Sequence, residues 1–235
     1  DLASITKVVA TTSAVMKLVD KKQLSLDDKV VDHVPEFKGK QSKYYKQKSN
    51  ITIRHLLTHT SGLPSFKKYY LIENSPEARL DSVMNTEPTD PMEEKTIYSD
   101  VGLITLGKVI EAVSGVSLDT LVDSLIFDPL GMASTYFTPP KEKIHRIVPT
   151  EYSDFYGELI RGYVHDENTH SLGGVAGHAG LFSTASDLAI FSQMMLNVFA
   201  RSLRRAFTRH FVFSFSLILL CPASASLRKS PSAHL

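Results

Sequence analysis

The stretch Ser4-Ile5-Thr6-Lys7 opens an amphipathic segment that continues to Asp20. Residues three apart share a helix face, so the Ser4 hydroxyl and the Lys7 ammonium can come within hydrogen-bonding distance. A lysine in a dry pocket can lose its proton and activate a serine hydroxyl. The apolar residues that follow have the spacing of a helix buried along one side: Ile5, Val8, Val9, Val15, Met16 and Val19. The stretch therefore predicts a helix that carries a serine nucleophile beside its base.

The tetrad alone is weak support for that prediction, because the chain contains it three times. Ser65-Phe66-Lys67-Lys68 follows Gly62-Leu63-Pro64 and is typical of a loop. Ser226-Leu227-Arg228-Lys229 lies in an atypical tail. Taken by itself, Ser4 also fits an ordinary serine in the first turn of a helix.

The composition is that of a globular protein of one good-sized domain, or of one domain with a helical subdomain. The 235 residues are 43% hydrophobic and 22% charged, with a net charge of +1. This charge argues against a polyanionic partner, so we expect no nucleic acid. A single cysteine, Cys221, excludes an internal disulfide bond. The first residues do not have the pattern of a signal peptide, which is uninformative because we expect the chain to begin in the middle of a domain.

The residues after 198 differ from the rest of the chain, and we predict a hydrolase-like domain at 1–198 and an atypical tail at 199–235. From Arg201 the tail is first basic, then apolar at 211–220, then small and polar, with no acidic residue. Ten apolar residues are too few for a membrane-spanning helix, so a membrane partner is not expected. A membrane-associating end, a buried terminal strand and a non-native continuation are three interpretations of the tail; we favour the last.

Local signals predict further helices and few strands in the body of the chain. Thr52 is a candidate N-cap for a helix with Ile53, Leu56 and Leu57, and another helix is predicted over 101–113. Ser117 is a candidate cap for a helix through Ile126. A last helix is predicted to start near Ser186.

Tyr98-Ser99-Asp100 precedes the helix predicted over 101–113. A tyrosine beside an ammonium can share a proton with it and act as a general base. Tyr152-Ser153-Asp154 repeats the tripeptide, but we prefer Tyr98 because it lies at a loop-to-helix junction. The alternative is a helix-capping turn with a packed tyrosine ring.

In combination, these motifs resemble the serine β-lactamase and penicillin-binding protein superfamily. The branch that includes class C β-lactamases, related esterases and D-alanyl-D-alanine carboxypeptidases is the most similar. Four further stretches resemble that branch: Asp1-Leu2-Ala3-Ser4, Ile53-Arg54-His55-Leu56-Leu57-Thr58-His59-Thr60-Ser61-Gly62-Leu63, Phe127-Asp128-Pro129-Leu130-Gly131-Met132 and Gly174-Val175-Ala176-Gly177-His178-Ala179-Gly180-Leu181-Phe182-Ser183-Thr184.

The resemblance implies that Ser4 is the acylated nucleophile and that Lys7 and Tyr98 share the proton transfers. The Ser4 backbone N–H would supply half of an oxyanion hole. Asp100 stands where the family more often has an asparagine that contacts the substrate amide, so its substrate role is in question. The resemblance also places His165, Asn168, Gly177 and His178 around the substrate cleft. For the polar run at 164–168, a solvated loop is the alternative.

The resemblance implies an α/β (α+β) fold of the β-lactamase/transpeptidase type. The family's opening strands are missing ahead of Ser4, and its third motif, Lys-Thr-Gly or His-x-Gly, which the family carries well downstream, does not occur after Val198. We therefore expect mostly the helical portion of that fold, with much of the antiparallel sheet missing and low stability. An inactive fragment that lacks the third motif is the alternative to an active hydrolase.

The expected substrate is a β-lactam, a D-alanyl peptide or a carboxylic ester, either a small molecule or derived from peptidoglycan. No cofactor is expected, and a periplasmic or secreted location follows only from the family's habit. His55-x-x-x-His59 offers a zinc hydrolase as a distant alternative, although Leu56 stands where the general-base glutamate would be.

Overall fold

The computed structural model describes residues 1–38, 45–72 and 75–198; of Tyr45 it describes the backbone alone. The chain divides into two compact units, Asp1–Phe191 and Ser192–Leu235. The predicted tail at 199–235 lies outside the described residues, so its three interpretations stay predictions.

The helix predicted from Ser4 to Asp20 is confirmed, but its first half is not α-helical. It consists of a 3₁₀ turn at Ala3–Ile5, a π-helix at Lys7–Thr12 and helix α1 at Ser13–Asp20. The Thr12 hydroxyl donates to the Lys7 carbonyl at 2.7 Å, and the Ser13 hydroxyl donates to the Val8 carbonyl at 3.0 Å. Both bonds reach five residues back, which matches the wider turn of a π-helix.

The predicted one-sided burial of this segment is only partly correct. Val9 and Val15 are 2% and 1% exposed. In contrast, Ile5, Val8 and Met16 are 49%, 53% and 43% exposed. The helix therefore presents apolar side chains on two faces, of which the described residues cover one.

Helix α6, Asp100–Ser114, lies at the centre of the first unit. Its N-cap is Ser99, whose hydroxyl accepts the Gly102 N–H at 3.0 Å, and it ends at Gly115 with φ of 74°. Nine of its residues are buried, which spans more than one helical face. It packs against α1, α2 (Val30–His33), α4 (Ile53–Leu57), α5 (Pro76–Met84) and α7 (Leu118–Val122).

Most of the other described helices are short. Thr52 caps α4 as predicted, since its hydroxyl accepts the His55 N–H while the His55 ring accepts the Thr52 N–H. The helix predicted after Ser117 is present as α7 followed by a π-helix at Asp123–Phe127. The remaining helical elements are α3 (Tyr45–Lys48), α8 (Asp128–Leu130), α9 (Glu167–Ser171), 3₁₀ turns at Pro35–Lys38, Tyr69–Leu71 and Lys141–Arg146, and residues 185–198.

Strands are scarce in the described part of the chain. β1 (Tyr152–Ser153) pairs antiparallel with β2 (Glu158–Leu159), with Tyr152 opposite Leu159. Two isolated bridges join Lys29 to Thr52 and Tyr136 to Phe182. This agrees with the expectation of mostly the helical portion of a larger α/β fold.

No single described helix has the length and apolar character needed to cross a membrane; the pair Asp100–Ser114 and Leu118–Leu130, bent by 70°, meets that criterion jointly.

Lys48 is a buried cation in the core and leads to a prediction about pH and stability. Its side chain is fully buried, its ammonium donates to the Met84 carbonyl at 2.6 Å, and it lies 4.7 Å from the centre of the Phe37 ring. Burial lowers the pKa of Lys48 from 10.5 to about 8, although Glu87 opposes this shift. The folded chain therefore binds fewer protons than the unfolded chain between these two values, and stability should rise with pH across that window.

We expect the free energy of unfolding of the wild-type chain to increase by about 1–3 kcal/mol from pH 7.5 to pH 10 relative to Lys48→Met. Urea denaturation of both proteins at several pH values measures this difference. Exposed Lys22→Met is the matched control and should follow the wild type. Parallel dependences of stability on pH for wild type and Lys48→Met would show that burial does not lower the pKa of Lys48.

Candidate active site

Ser4 and Lys7 meet at the start of the first helical segment. Lys7 Nζ donates to Ser4 Oγ at 2.8 Å, and the Lys7 side chain is only 7% exposed. Ala3, just before the serine, has a φ of 46°, which is uncommon for a residue with a Cβ. The pair thus occupies a turn held in an unusual backbone conformation, as functional sites often do.

Two more acceptors surround the Lys7 ammonium. The His178 carbonyl accepts a hydrogen bond at 2.9 Å, and Asp100 Oδ1 lies 2.8 Å away as an ion pair. Ser4 Oγ and the His178 carbonyl accept two of the three N–H groups of the ammonium, whereas Asp100 Oδ1 makes a close charge contact without hydrogen-bond geometry. The Asp100 carboxylate and the Lys7 ammonium thus form an ion pair beside the Ser4 hydroxyl.

Tyr98 lies beside this ammonium at the junction that precedes α6. Its ring centre is 4.8 Å from Lys7 Nζ, and its side chain is 53% exposed. Ser99, the helix cap, donates its hydroxyl to the Pro64 carbonyl at 2.7 Å, and the Asp100 N–H donates to the Ser65 carbonyl at 2.8 Å. These two bonds fix the Tyr98-Ser99-Asp100 tripeptide against the loop after α4.

The segment from Gly177 to Leu181 runs beside the Ser4–Lys7 turn. Thr11 donates its hydroxyl to the Gly177 carbonyl at 2.6 Å, and the Leu181 N–H donates to the Thr6 hydroxyl at 3.1 Å. A Cβ on Gly177 would lie 2.1 Å from the Leu103 carbonyl oxygen, so only glycine fits this approach to α6. Sequence reasoning missed Thr6 and Thr11, although Thr11 lies one turn after Lys7 on the same face.

The His178 ring is buried, and the residue is 1% exposed. Its Nε2 lies 2.8 Å from Asp166 Oδ1 and 3.3 Å from the Thr169 hydroxyl. Burial would raise the pKa of Asp166, but its hydrogen bond and ion pair with His178 and the Thr169 hydrogen bonds outweigh it and hold the pKa at about 2. His178 therefore reaches the site through its carbonyl oxygen and not through its ring. Sequence reasoning did not single out Asp166.

Asn168 and His165 occupy different surroundings from each other. Asn168 is 1% exposed; its side-chain oxygen accepts the Tyr69 and Tyr70 N–H groups, and its side-chain nitrogen donates to the Lys67 carbonyl. Its amide thus holds the loop at 67–70. The His165 ring is partly exposed, with Nε2 at 2.6 Å from Glu151 Oε1, and the backbone N–H of His165 donates to the Asp1 carboxylate. Substrate contact stays a prediction for both.

The competing motifs lie in other environments. Tyr152 is 62% exposed on the β1–β2 hairpin, and its hydroxyl donates to the Gly157 carbonyl. His55 Nε2 lies 2.9 Å from Glu93 Oε1, while His59 Nδ1 accepts the Ser99 N–H at 3.1 Å. Among the described residues, no group of three or more His, Cys, Asp or Glu side chains could hold a metal ion. The Ser226 tetrad lies outside the described residues.

The Beta-lactamase family model matches residues 1–218. The chain belongs to the β-lactamase family. A putative D-alanyl-D-alanine carboxypeptidase of Escherichia coli (strain K12) is 34% identical over 218 residues, covering 84% of this chain and 50% of that protein. The homologue of the same name from Salmonella typhimurium gives the same figures. The family and these relatives are serine hydrolases, in agreement with the resemblance.

Solved structures of the β-lactamase family share the fold of this chain. The penicillin-binding protein homologue from Pyrococcus abyssi, described as octameric, has a TM-score of 0.61 and 30% identity, covering 82% of this chain and 43% of that chain. A class C β-lactamase has 24% identity and a TM-score of 0.63, and the match covers 82% of this chain and 49% of that chain. This similarity supports the fold and nothing further. The chain spans about half the length of the curated relatives it matches.

Proposed function

We propose that this chain carries the nucleophile part of a serine hydrolase site that reacts through an acyl-enzyme at Ser4. The observation that carries the proposal is the 2.8 Å hydrogen bond from buried Lys7 to Ser4 Oγ, with the Tyr98 ring 4.8 Å from the same ammonium. A nucleophile within reach of one base, which a further group orients, is the arrangement that covalent catalysis requires.

The chemistry follows from these contacts. Ser4 Oγ would form a bond to a substrate carbonyl carbon while its proton passes to the pair of Lys7 and Tyr98. The pair then returns a proton to the leaving nitrogen or oxygen as its bond to carbon breaks. Water hydrolyses the resulting ester and restores Ser4. The Ser4 N–H would supply one oxyanion donor.

A D-alanyl peptide is our leading substrate, because the relatives are named for D-alanyl-D-alanine carboxypeptidase activity. β-Lactams and carboxylic esters are two further substrate classes that this chemistry fits. Export to the periplasm or medium, where peptidoglycan-derived peptides occur, is part of the proposal. The second candidate is an inactive fragment that lacks the third motif, and the Lys7–Asp100 ion pair favours it because a carboxylate engages the ammonium beside Ser4.

The test is the intact mass of the full chain after exposure to a fluorophosphonate and, separately, to a penicillin. The fluorophosphonate forms a phosphorus–oxygen bond to Ser4 and releases fluoride, and the serine proton goes to the base. We expect an adduct on wild type and on Ser65→Ala, the matched serine of the second tetrad, but none on Ser4→Ala. No adduct on folded wild-type protein would support the inactive alternative.

A further inference from the structure

His59 follows α4 and adopts a backbone conformation that side chains rarely take. Its φ is 59°, in the left-handed region, although it is not a glycine. Such a residue persists only when its surroundings hold it there, and these residues cluster at functional sites. The contacts of His59 show what its conformation achieves.

His59 contacts three successive residues around Tyr98. The Ile97 N–H donates to the His59 carbonyl at 2.8 Å, and the Ser99 N–H donates to His59 Nδ1 at 3.1 Å. Between these two bonds, the His59 and Tyr98 rings lie 4.7 Å apart at 43°. One residue therefore binds the backbone on both sides of Tyr98 and packs against its ring.

The Tyr98 side chain makes two aromatic or cation–π contacts with the described residues. In the part of the chain that the structure describes, its ring contacts His59 and Lys7, and no hydrogen bond to its hydroxyl is present. Its side chain is 53% exposed. Since a half-exposed ring is free to change rotamer, its place beside Lys7 depends on His59.

The bond from Ser99 requires a neutral His59. Nδ1 can accept a hydrogen bond only when the proton of the ring is on Nε2. Burial, together with the positive charge of Lys7, lowers the pKa of His59, while the Asp100 carboxylate opposes this shift. Protonation would break the bond to Ser99 and place a second cation near Lys7, with Asp100 and Tyr98 as the other titratable groups nearby.

We propose that His59 is a positioning residue that holds Tyr98 at the Lys7 ammonium, and that it does so only in its neutral form. Its effect on reactivity rests on the proposed function; its effect on the position of Tyr98 does not. The zinc alternative assigned His59 to metal binding, whereas its contacts in the structure are with Tyr98 and the neighbouring backbone.

Variants that tolerate the same backbone conformation separate the effect of the His59 side chain from the effect of its backbone strain. In His59→Asn, Oδ1 takes the position of Nδ1, and asparagine tolerates the left-handed region. His59→Gly tolerates it as well but lacks both the acceptor and the ring. Lys22→Gly is the control, because Lys22 is exposed, has a φ of 57° and is not part of the site.

The rate of Ser4 phosphonylation, followed by mass from pH 5 to pH 9, is the first readout. We expect His59→Gly to react about tenfold more slowly than wild type at neutral pH. His59→Asn keeps the acceptor for Ser99 but lacks the ring, so it should recover part of that rate and lose the decline of the wild-type rate on the acidic side. Lys22→Gly should follow the wild type. Equal rates in His59→Gly and wild type would overturn the proposal.

Nuclear magnetic resonance of the same proteins decides the matter even when Ser4 does not react. The Ser99 amide and Tyr98 ring signals of wild type should shift together on acidification, with a midpoint below 6.5. His59→Asn should show no such transition, and His59→Gly should show a displaced Tyr98 ring signal at every pH. Wild-type signals that do not move with pH would reject the proposal without bearing on the reactivity of Ser4.

Discussion

Lys7→Met is expected to slow the phosphonylation of Ser4 at least about a hundredfold, the scale of losing a positioned base. Methionine has a similar length, but it removes the hydrogen bonds to Ser4 Oγ and the His178 carbonyl. It also leaves the Asp100 carboxylate without its ion-pair partner at 2.8 Å. The variant should therefore lose stability as well, by about 1–2 kcal/mol, because Asp100 is partly exposed. Mass-detected labelling and urea denaturation measure the two effects separately.

The double variant Lys7→Met/Asp100→Asn distinguishes chemistry from folding. Removing the unpaired carboxylate should restore stability to within about 0.5 kcal/mol of wild type and leave labelling slow. Asp100→Asn alone should label about tenfold faster than wild type, since the carboxylate that engages Lys7 Nζ at 2.8 Å is then removed. Recovery of labelling in the double variant would show that Lys7 acts only by keeping the fold intact.

Local signals were enough to predict where several helices begin and end. Thr52 and Ser99 are side-chain caps whose partners lie three residues away, and Gly115 ends α6 in the left-handed region. Such contacts are made between residues close together in the sequence, so they can be predicted from it. The π-helix at Lys7–Thr12 was not predicted, because a one-residue change of turn leaves nearly the same apolar pattern.

The surroundings of Lys7 could not be predicted from spacing alone. The His178 carbonyl that accepts from Lys7 is 171 residues away in sequence, and a backbone carbonyl has no sequence signature. The resemblance places His178 at the substrate cleft, and this stays a prediction; the structure buries its ring against Asp166, an arrangement that spacing did not predict. Gly177 was predicted to lie at the substrate cleft, and this also stays a prediction; the structure shows a different requirement for glycine, its close approach to α6.

Gly177→Ala adds one methyl group, and we expect it to be the most destabilising such addition at this site. Its Cβ would lie 2.1 Å from the Leu103 carbonyl oxygen and 3.1 Å from the Gly107 nitrogen, both backbone atoms of α6. Backbone atoms cannot turn aside as a flexible side chain can, so either the segment or the helix must move. We expect a loss of about 3 kcal/mol or more in the free energy of unfolding, measured by urea denaturation.

Gly115→Ala is the matched control, because it adds the same methyl group where nothing lies within 4 Å. Its φ of 74° carries only the strain of a left-handed alanine, about 1 kcal/mol. A displaced segment in Gly177→Ala would also carry the His178 carbonyl away from Lys7, so labelling of Ser4 should fall in the protein that remains folded. Equal losses of stability in the two variants, with labelling intact, would mean that the Gly177 segment is free to shift and does not position Lys7.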